Sequence, residues 1–151
     1  MFAEQPPPSG SPSSSPSSLP PPLDDRASQI RVLLVDDHAL FRQGLRSIVH
    51  GCVRLEVVGE ASNGLEAIDA VRLLRPDVVV MDINMPNLNG IEATKRIKYE
   101  FPDTSVIGLS VESEMEMVEK MQVTGIYAYL VKGSAGDVLC RIIEDAVAQN
   151  Q

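Results

Sequence analysis

Cysteine is scarce in this chain: only Cys52 and Cys140 occur, with neither metal-ligand spacing nor a CxxC pair. Such usage suggests neither a disulfide framework nor a zinc site, so both thiols are expected to be reduced, in or near helices. No window approaches the roughly 20 apolar residues that a membrane-spanning helix needs, and no basic region followed by an apolar one opens the chain. The expectation is a soluble, cytoplasmic protein with no membrane partner. Basic charge is also short, since 13 Lys and Arg stand against 21 Asp and Glu for a formal net charge of −8. Attraction to phosphate backbones needs a basic stripe, and none is present, so no direct nucleic-acid binding by this chain is expected.

Proline is rare after residue 22, because eight of the eleven prolines lie before that point, mixed with serines. This tract has too few large apolar side chains to offset the entropy of ordering itself. Residues 1–28 are therefore read as a disordered Pro/Ser-rich N-terminal extension or linker. Residues 29–151 suit one domain of roughly 100–150 residues with a real core and no room for a second.

What is present within that domain is a regular alternation. Ile30 to Val35 is a near-continuous apolar run that ends on Asp36-Asp37, and Leu40, Phe41, Leu45, Ile48 and Val49 then mark a helix face from His38 to about Gly51. Arg54 to Ala61 reads as a strand, followed by a helix from Asn63-Gly64 with Leu65, Ile68, Val71 and Leu74 on its apolar face, stopped by Pro76. Val78 to Met81 is a fully apolar β-branched strand, which belongs at the middle of a sheet, and it ends on Asp82. Met85-Pro86, Asn87, Asn89 and Gly90 make a loop before a helix carrying Ile91, Thr94, Ile97 and Phe101. Ser105 to Leu109 supplies a fourth strand finishing at Ser110, Glu112 to Gln122 a short, weakly apolar helix closed by Gly125, and Ile126 to Val131 a fifth strand ending at Lys132. Val138, Leu139, Ile142, Ile143 and Ala146 mark the last helix.

Strict βα alternation over five units predicts an α/β fold: a doubly wound, flavodoxin-like parallel sheet in the order 2-1-3-4-5 with right-handed crossovers. That order sets Asp36, Asp37, Asp82, Ser110 and Lys132 along one edge of the sheet, beside the switch point between strands 1 and 3 where such folds bind ligands. Three gathered carboxylates repel unless a cation joins them. Oxygen-only ligands with open water positions suit Mg²⁺. With the ammonium of Lys132 and the hydroxyl of Ser110, they amount to the parts needed to transfer a phosphoryl group onto a carboxylate.

On these residues the chain resembles a response-regulator receiver domain of two-component signalling, from about Ile30 to Ala148. The acidic pair Asp36-Asp37, the DINMP segment around Asp82, Ser110, Lys132 and Tyr129 fall in the family's order and spacing. VLLVDDHALFRQGL and MPNLNGIEATKRIK are similar to receivers of helix-turn-helix transcriptional regulators and of hybrid histidine kinases. The resemblance implies that Asp82 is the phosphoacceptor, taking its phosphoryl group from a histidine kinase or a histidine phosphotransfer protein. It implies Mg²⁺ on Asp37, Asp82 and the backbone carbonyl of Asn84, with Asp36 acting through water. Ser110 and Tyr129 then form the switch: the Ser110 hydroxyl moves toward the phosphoryl oxygens, and the Tyr129 ring turns into the space it leaves. The output expected is a downstream protein partner or a phosphorylation-dependent homodimer. One departure is the segment GIYAYLVKG, with Ile126 and Tyr127 where relatives tend to have smaller residues.

Receivers are not enzymes on outside substrates, although they assist their own phosphorylation and dephosphorylation. The enzyme alternative is a Mg²⁺-dependent aspartate-nucleophile phosphatase, which usually needs a second acid near the nucleophile and a cap; here Asn84 stands in that neighbourhood and no insertion is long enough for a cap. A flavin module would need a Ser/Thr/Gly-rich phosphate loop where DDHALF stands. A phosphorylation-independent interaction module has no use for the intact acidic set. His38, at a helix start, is expected to be a surface residue.

Overall fold

The computed structural model describes residues 29–85, 88–111, 119 and 124–150. The expectations for residues 1–28 and for the helix from Glu112 to Gln122 fall outside them, as do Pro86 and Asn87. Five strands are described: β1 (Ile30–Val35), β2 (Leu55–Ala61), β3 (Val78–Asp82), β4 (Ser105–Ser110) and β5 (Ala128–Val131). Between and after them lie α1 (Ala39–His50), α2 (Gly64–Leu74), α3 (Gly90–Glu100), a 3-10 helix (Lys132–Asp137) and α4 (Leu139–Gln149). All strand pairs are parallel, and the order is β2-β1-β3-β4-β5, as the alternation predicted.

The side-chain period of two divides the strands' apolar residues between two cores. Val32, Leu34, Val78, Val80, Ile107 and Leu109 meet Leu45 and Val49 of α1 and Leu139 and Ile143 of α4 on one face. Leu33, Val35, Val79, Met81 and Val106 meet Ala67, Ile68 and Val71 of α2 and Ala93 and Ile97 of α3 on the other. β3, buried at every position, is the middle of the sandwich, which is why a carboxylate at its tip is so constrained.

Helix boundaries follow local chemistry. Asn63 and Asn89 cap α2 and α3, their side chains accepting hydrogen bonds from the amides of Glu66 and Glu92 at 2.9 Å. At the end of α2, Arg75 takes a left-handed conformation (φ 49°) just before Pro76. The expected faces of α1 and α2 need one correction each: Leu40 is 72% exposed and Leu65 53% exposed. Both are the second residue of a helix that begins at the carboxyl edge of the sheet, where the first turn has no strand beneath it.

The two thiols, expected to be reduced, are instead bonded to each other. Cys52, just after α1, and Cys140, in α4, form a disulfide across 88 residues of sequence, with Cα atoms 6.6 Å apart. The pair is invisible to local spacing because it depends on α1 and α4 sharing one face of the sheet.

The start of α3 is pressed against the end of β3. A Cβ on Gly90 would fall against the Asp82 carbonyl oxygen and 2.5 Å from the Cα of Ile83. Gly90→Ala is expected to cost about 1–3 kcal/mol of stability, since backbone cannot yield as a side chain does. Gly44, inside α1 with open space where a Cβ would stand, is the control: Gly44→Ala should gain up to about 1 kcal/mol from helix propensity. Urea unfolding of both variants checks the contrast.

Candidate phosphoryl and metal site

The carboxyl edge of the sheet gathers the charged residues that the sequence places at strand tips. Asp36 directly follows β1 and is fully buried; its backbone amide still donates to Ala61 of β2 at 3.1 Å, which carries the sheet pairing one residue past the strand. Its Oδ1 accepts the His38 amide at 2.8 Å. Its carbonyl oxygen accepts a hydrogen bond from Arg42, whose Nε is held by Glu60 at 2.8 Å; Arg46 also pairs with Glu60. The acidic loop is thereby tied to both α1 and β2.

Asp82 closes β3 and is 2% exposed. Its Oδ1 accepts the Asn84 amide at 2.9 Å, while the Asn84 side chain faces solvent. Lys132, the first residue of the 3-10 helix, sends its Nζ to 2.8 Å from Asp36 Oδ2 and 3.2 Å from Asp82 Oδ2. The same ammonium stands 4.6 Å from the centroid of the Phe41 ring, a favourable cation–π distance. Phe41 therefore belongs to the site as well as to the core, a role that the helix periodicity of α1 gave no means of separating.

Burial pushes the Asp82 carboxyl above the usual range, with the Asp36 charge adding to it; the Asn84 amide and Lys132 pull the other way and lose. For Lys132, burial works against the charged form, but its bonds to Asp36 and Asp82 outweigh that and hold the ammonium above its ordinary value. Lys132 is thus a fixed positive charge between two buried carboxylates.

Ser110 ends β4 and is buried, one residue beyond Leu109, which is the register partner of Asp82. Its own partner across the sheet is Val131, next to Lys132. Tyr129 lies on β5 opposite Gly108 and is half-buried, set back from the acidic cluster.

Asp36, Asp37, Asp82 and His38 each offer a ligand atom, and all four atoms lie within 4.8 Å of one another. Hard oxygen donors, two of them on the buried Asp36 and Asp82 and one on the exposed Asp37, fit a divalent cation that keeps part of its water. His38 is exposed, as expected, but it also belongs to this group, with Nδ1 at 3.5 Å from Asp36 Oδ1 and 3.4 Å from Asp37 Oδ1. Its adjacency to the acidic pair was the available signal.

Residues 32–144 match the family model of the response regulator receiver domain. The chain is 37% identical over 122 residues to the transcriptional regulatory protein DegU of Brevibacillus brevis, covering 81% of this chain and 51% of that protein. It is 43% identical over 106 residues to the response regulator UvrY of Escherichia coli K12, covering 70% and 49%. It thus spans about half the length of the curated relatives it matches. Among solved structures, a LuxR-family two-component response regulator from Aurantimonas sp. SI85-9A1 superposes with a TM-score of 0.77 at 32% identity, over 81% of this chain and 87% of that one. With the sheet order, the strand-tip acids and the family match in agreement, the chain belongs to the response-regulator receiver family of two-component systems.

Proposed function

We propose that this domain accepts a phosphoryl group on Asp82 from a histidine kinase or a histidine phosphotransfer protein. The observation that carries the reading is the placement of Asp82 at the tip of the central strand, 3.2 Å from an ammonium that it shares with Asp36. An Asp82 carboxylate oxygen forms the new O–P bond as the P–N bond to the donor imidazole breaks, and the electron pair leaves on the ring nitrogen. Lys132 turns from its carboxylates to the phosphoryl oxygens as a charge-assisted donor. The buried pocket keeps the nucleophile oriented, and the Asn84 amide fixes one of its two oxygens, leaving the other to attack. Asp37, Asp82 and the Asn84 carbonyl, with Asp36 acting through water, would hold Mg²⁺, which would supply neutralisation of the charge that develops on the transferred group. Ser110 moves toward the new oxygens and Tyr129 turns inward, reshaping the surface around β5 that meets a downstream partner or a second phosphorylated copy.

Incubation with Mg²⁺ and a small acyl phosphate, followed by intact mass, tests the acceptor reading. One added phosphoryl group supports it; an unchanged mass under conditions that label a control receiver opposes it. Lys132→Ala separates the roles further. Because Lys132 competes for the same carboxylates, the variant is expected to bind Mg²⁺ at least as well as the parent. Its affinity for a phosphoryl mimic should fall on the order of tenfold or more, with loss of a charge-assisted bond to the phosphoryl oxygens. Equal losses in both titrations would reduce Lys132 to charge balance.

A further inference from the structure

We infer that His38 makes the acidic pocket a mixed nitrogen and oxygen site, able to take a borderline transition-metal ion such as Co²⁺, Mn²⁺ or Zn²⁺ through its imidazole. The inference rests on the metal reading of the pocket given above and extends it to a residue outside the oxygen set. Two observations carry it. First, the Nδ1 atom lies 3.4 Å from Asp37 Oδ1 and 3.5 Å from Asp36 Oδ1. An ion with bonds of about 2.0–2.2 Å to nitrogen and oxygen sets its ligand atoms roughly 3.0–3.5 Å apart, so the imidazole already stands near coordination spacing from each of the two carboxylates. Second, the backbone that carries the ring is anchored beside the acids. The His38 amide is anchored on Asp36 Oδ1 at 2.8 Å, and the residue opens α1 as its N-cap with an extended backbone (φ −94°, ψ 105°), which directs the chain past the acids.

The chemistry of the donor decides which ions gain. Mg²⁺ prefers oxygen and dehydrates reluctantly, so an imidazole adds little to its binding. Co²⁺ and Zn²⁺ gain from an imidazole, and Mn²⁺ gains less. His38 would therefore act as a specificity-determining residue: it leaves the oxygen ligands to Mg²⁺ and selectively raises the affinity of competing ions. The site would respond to the transition-metal pool as well as to Mg²⁺.

The test is metal titration of the full chain and its variants, each checked for an unchanged far-UV spectrum. Co²⁺ is followed by its visible ligand-field bands and Mg²⁺ by calorimetry. His38→Ala should weaken Co²⁺ binding on the order of tenfold, with altered bands, and shift Mg²⁺ affinity less than about twofold. In the parent, Zn²⁺ should move the Nδ1 resonance of His38 in a long-range ¹H–¹⁵N spectrum, and Mg²⁺ should not. Unchanged Co²⁺ bands and affinity in His38→Ala, or a stationary Nδ1 resonance with Zn²⁺ bound, overturns the inference. Asp37→Ala separates the two levels. If it abolishes Mg²⁺ binding while His38→Ala changes nothing, only the role of His38 fails. If Asp37→Ala binds Mg²⁺ like the parent, the metal reading of the pocket fails with it.

Discussion

Asp82→Asn is expected to accept no phosphoryl group and to be more stable than the parent at neutral pH. The first effect is total, because the amide has no nucleophilic carboxylate oxygen to offer. The second follows from the site's electrostatics. Asp82 is buried beside Asp36, and its carboxyl is held above the ordinary range chiefly by burial. A carboxyl with a raised folded-state pKa binds its proton more tightly folded than unfolded. Its favourable contribution is present below the unfolded pKa and is lost as pH rises through the folded value. At neutral pH the parent therefore carries a buried charge that opposes folding, and asparagine removes it while Lys132 keeps Asp36 as partner at 2.8 Å. The gain should be about 1 kcal/mol, typical of a single favourable site change, and should shrink as pH falls into the range where Asp82 protonates. Chemical denaturation of both proteins without divalent ions, at neutral pH and under mildly acidic conditions, checks the size and the sign. A variant less stable than the parent at neutral pH would mean that the contact with Lys132 outweighs desolvation.

Reduction of the Cys52–Cys140 disulfide is the change expected to move stability most. The bond closes a span of 88 residues and ties the segment after α1 to α4 across one face of the sheet. Constraining an unfolded chain over so long a loop stabilises a domain by about 2–4 kcal/mol. Thermal melts with and without a reductant should therefore separate by many degrees, and Cys52→Ser should melt with the reduced parent under both conditions. Intact mass of the oxidised protein should lie two hydrogens below the reduced form. Coincident melts would show that packing of Leu45, Val49, Leu139 and Ile143 alone holds α1 and α4 together.

The disulfide also marks where local sequence signals run out. β3 was legible because four consecutive apolar residues, three of them β-branched, followed by Asp82 have few alternatives to a central strand with a functional tip. The sheet order was legible because alternation and handedness leave few topologies. Asp36, Asp82 and Lys132 were legible as a cluster for the same reason, each lying at a strand's carboxyl end. The disulfide, by contrast, joins two residues with no local signature, and only the packing of α1 against α4 brings them together. The contact between Lys132 and Phe41 was hidden similarly: a helical stripe reports that Phe41 faces inward, not which atom it meets. Leu40 and Leu65 fit the stripe and yet are exposed, since periodicity does not reveal where the sheet beneath a helix ends.

The central claim is that Asp82, among the clustered carboxylates, carries the phosphoryl group. Phosphorylation with Mg²⁺ and an acyl phosphate, borohydride reduction of the acyl phosphate formed, and tandem mass spectrometry of the digested chain test it most directly. The predicted result is homoserine at position 82, dependent on Mg²⁺, with Asp36 and Asp37 unmodified. Conversion at Asp36 or Asp37, with position 82 still aspartate, would contradict the account.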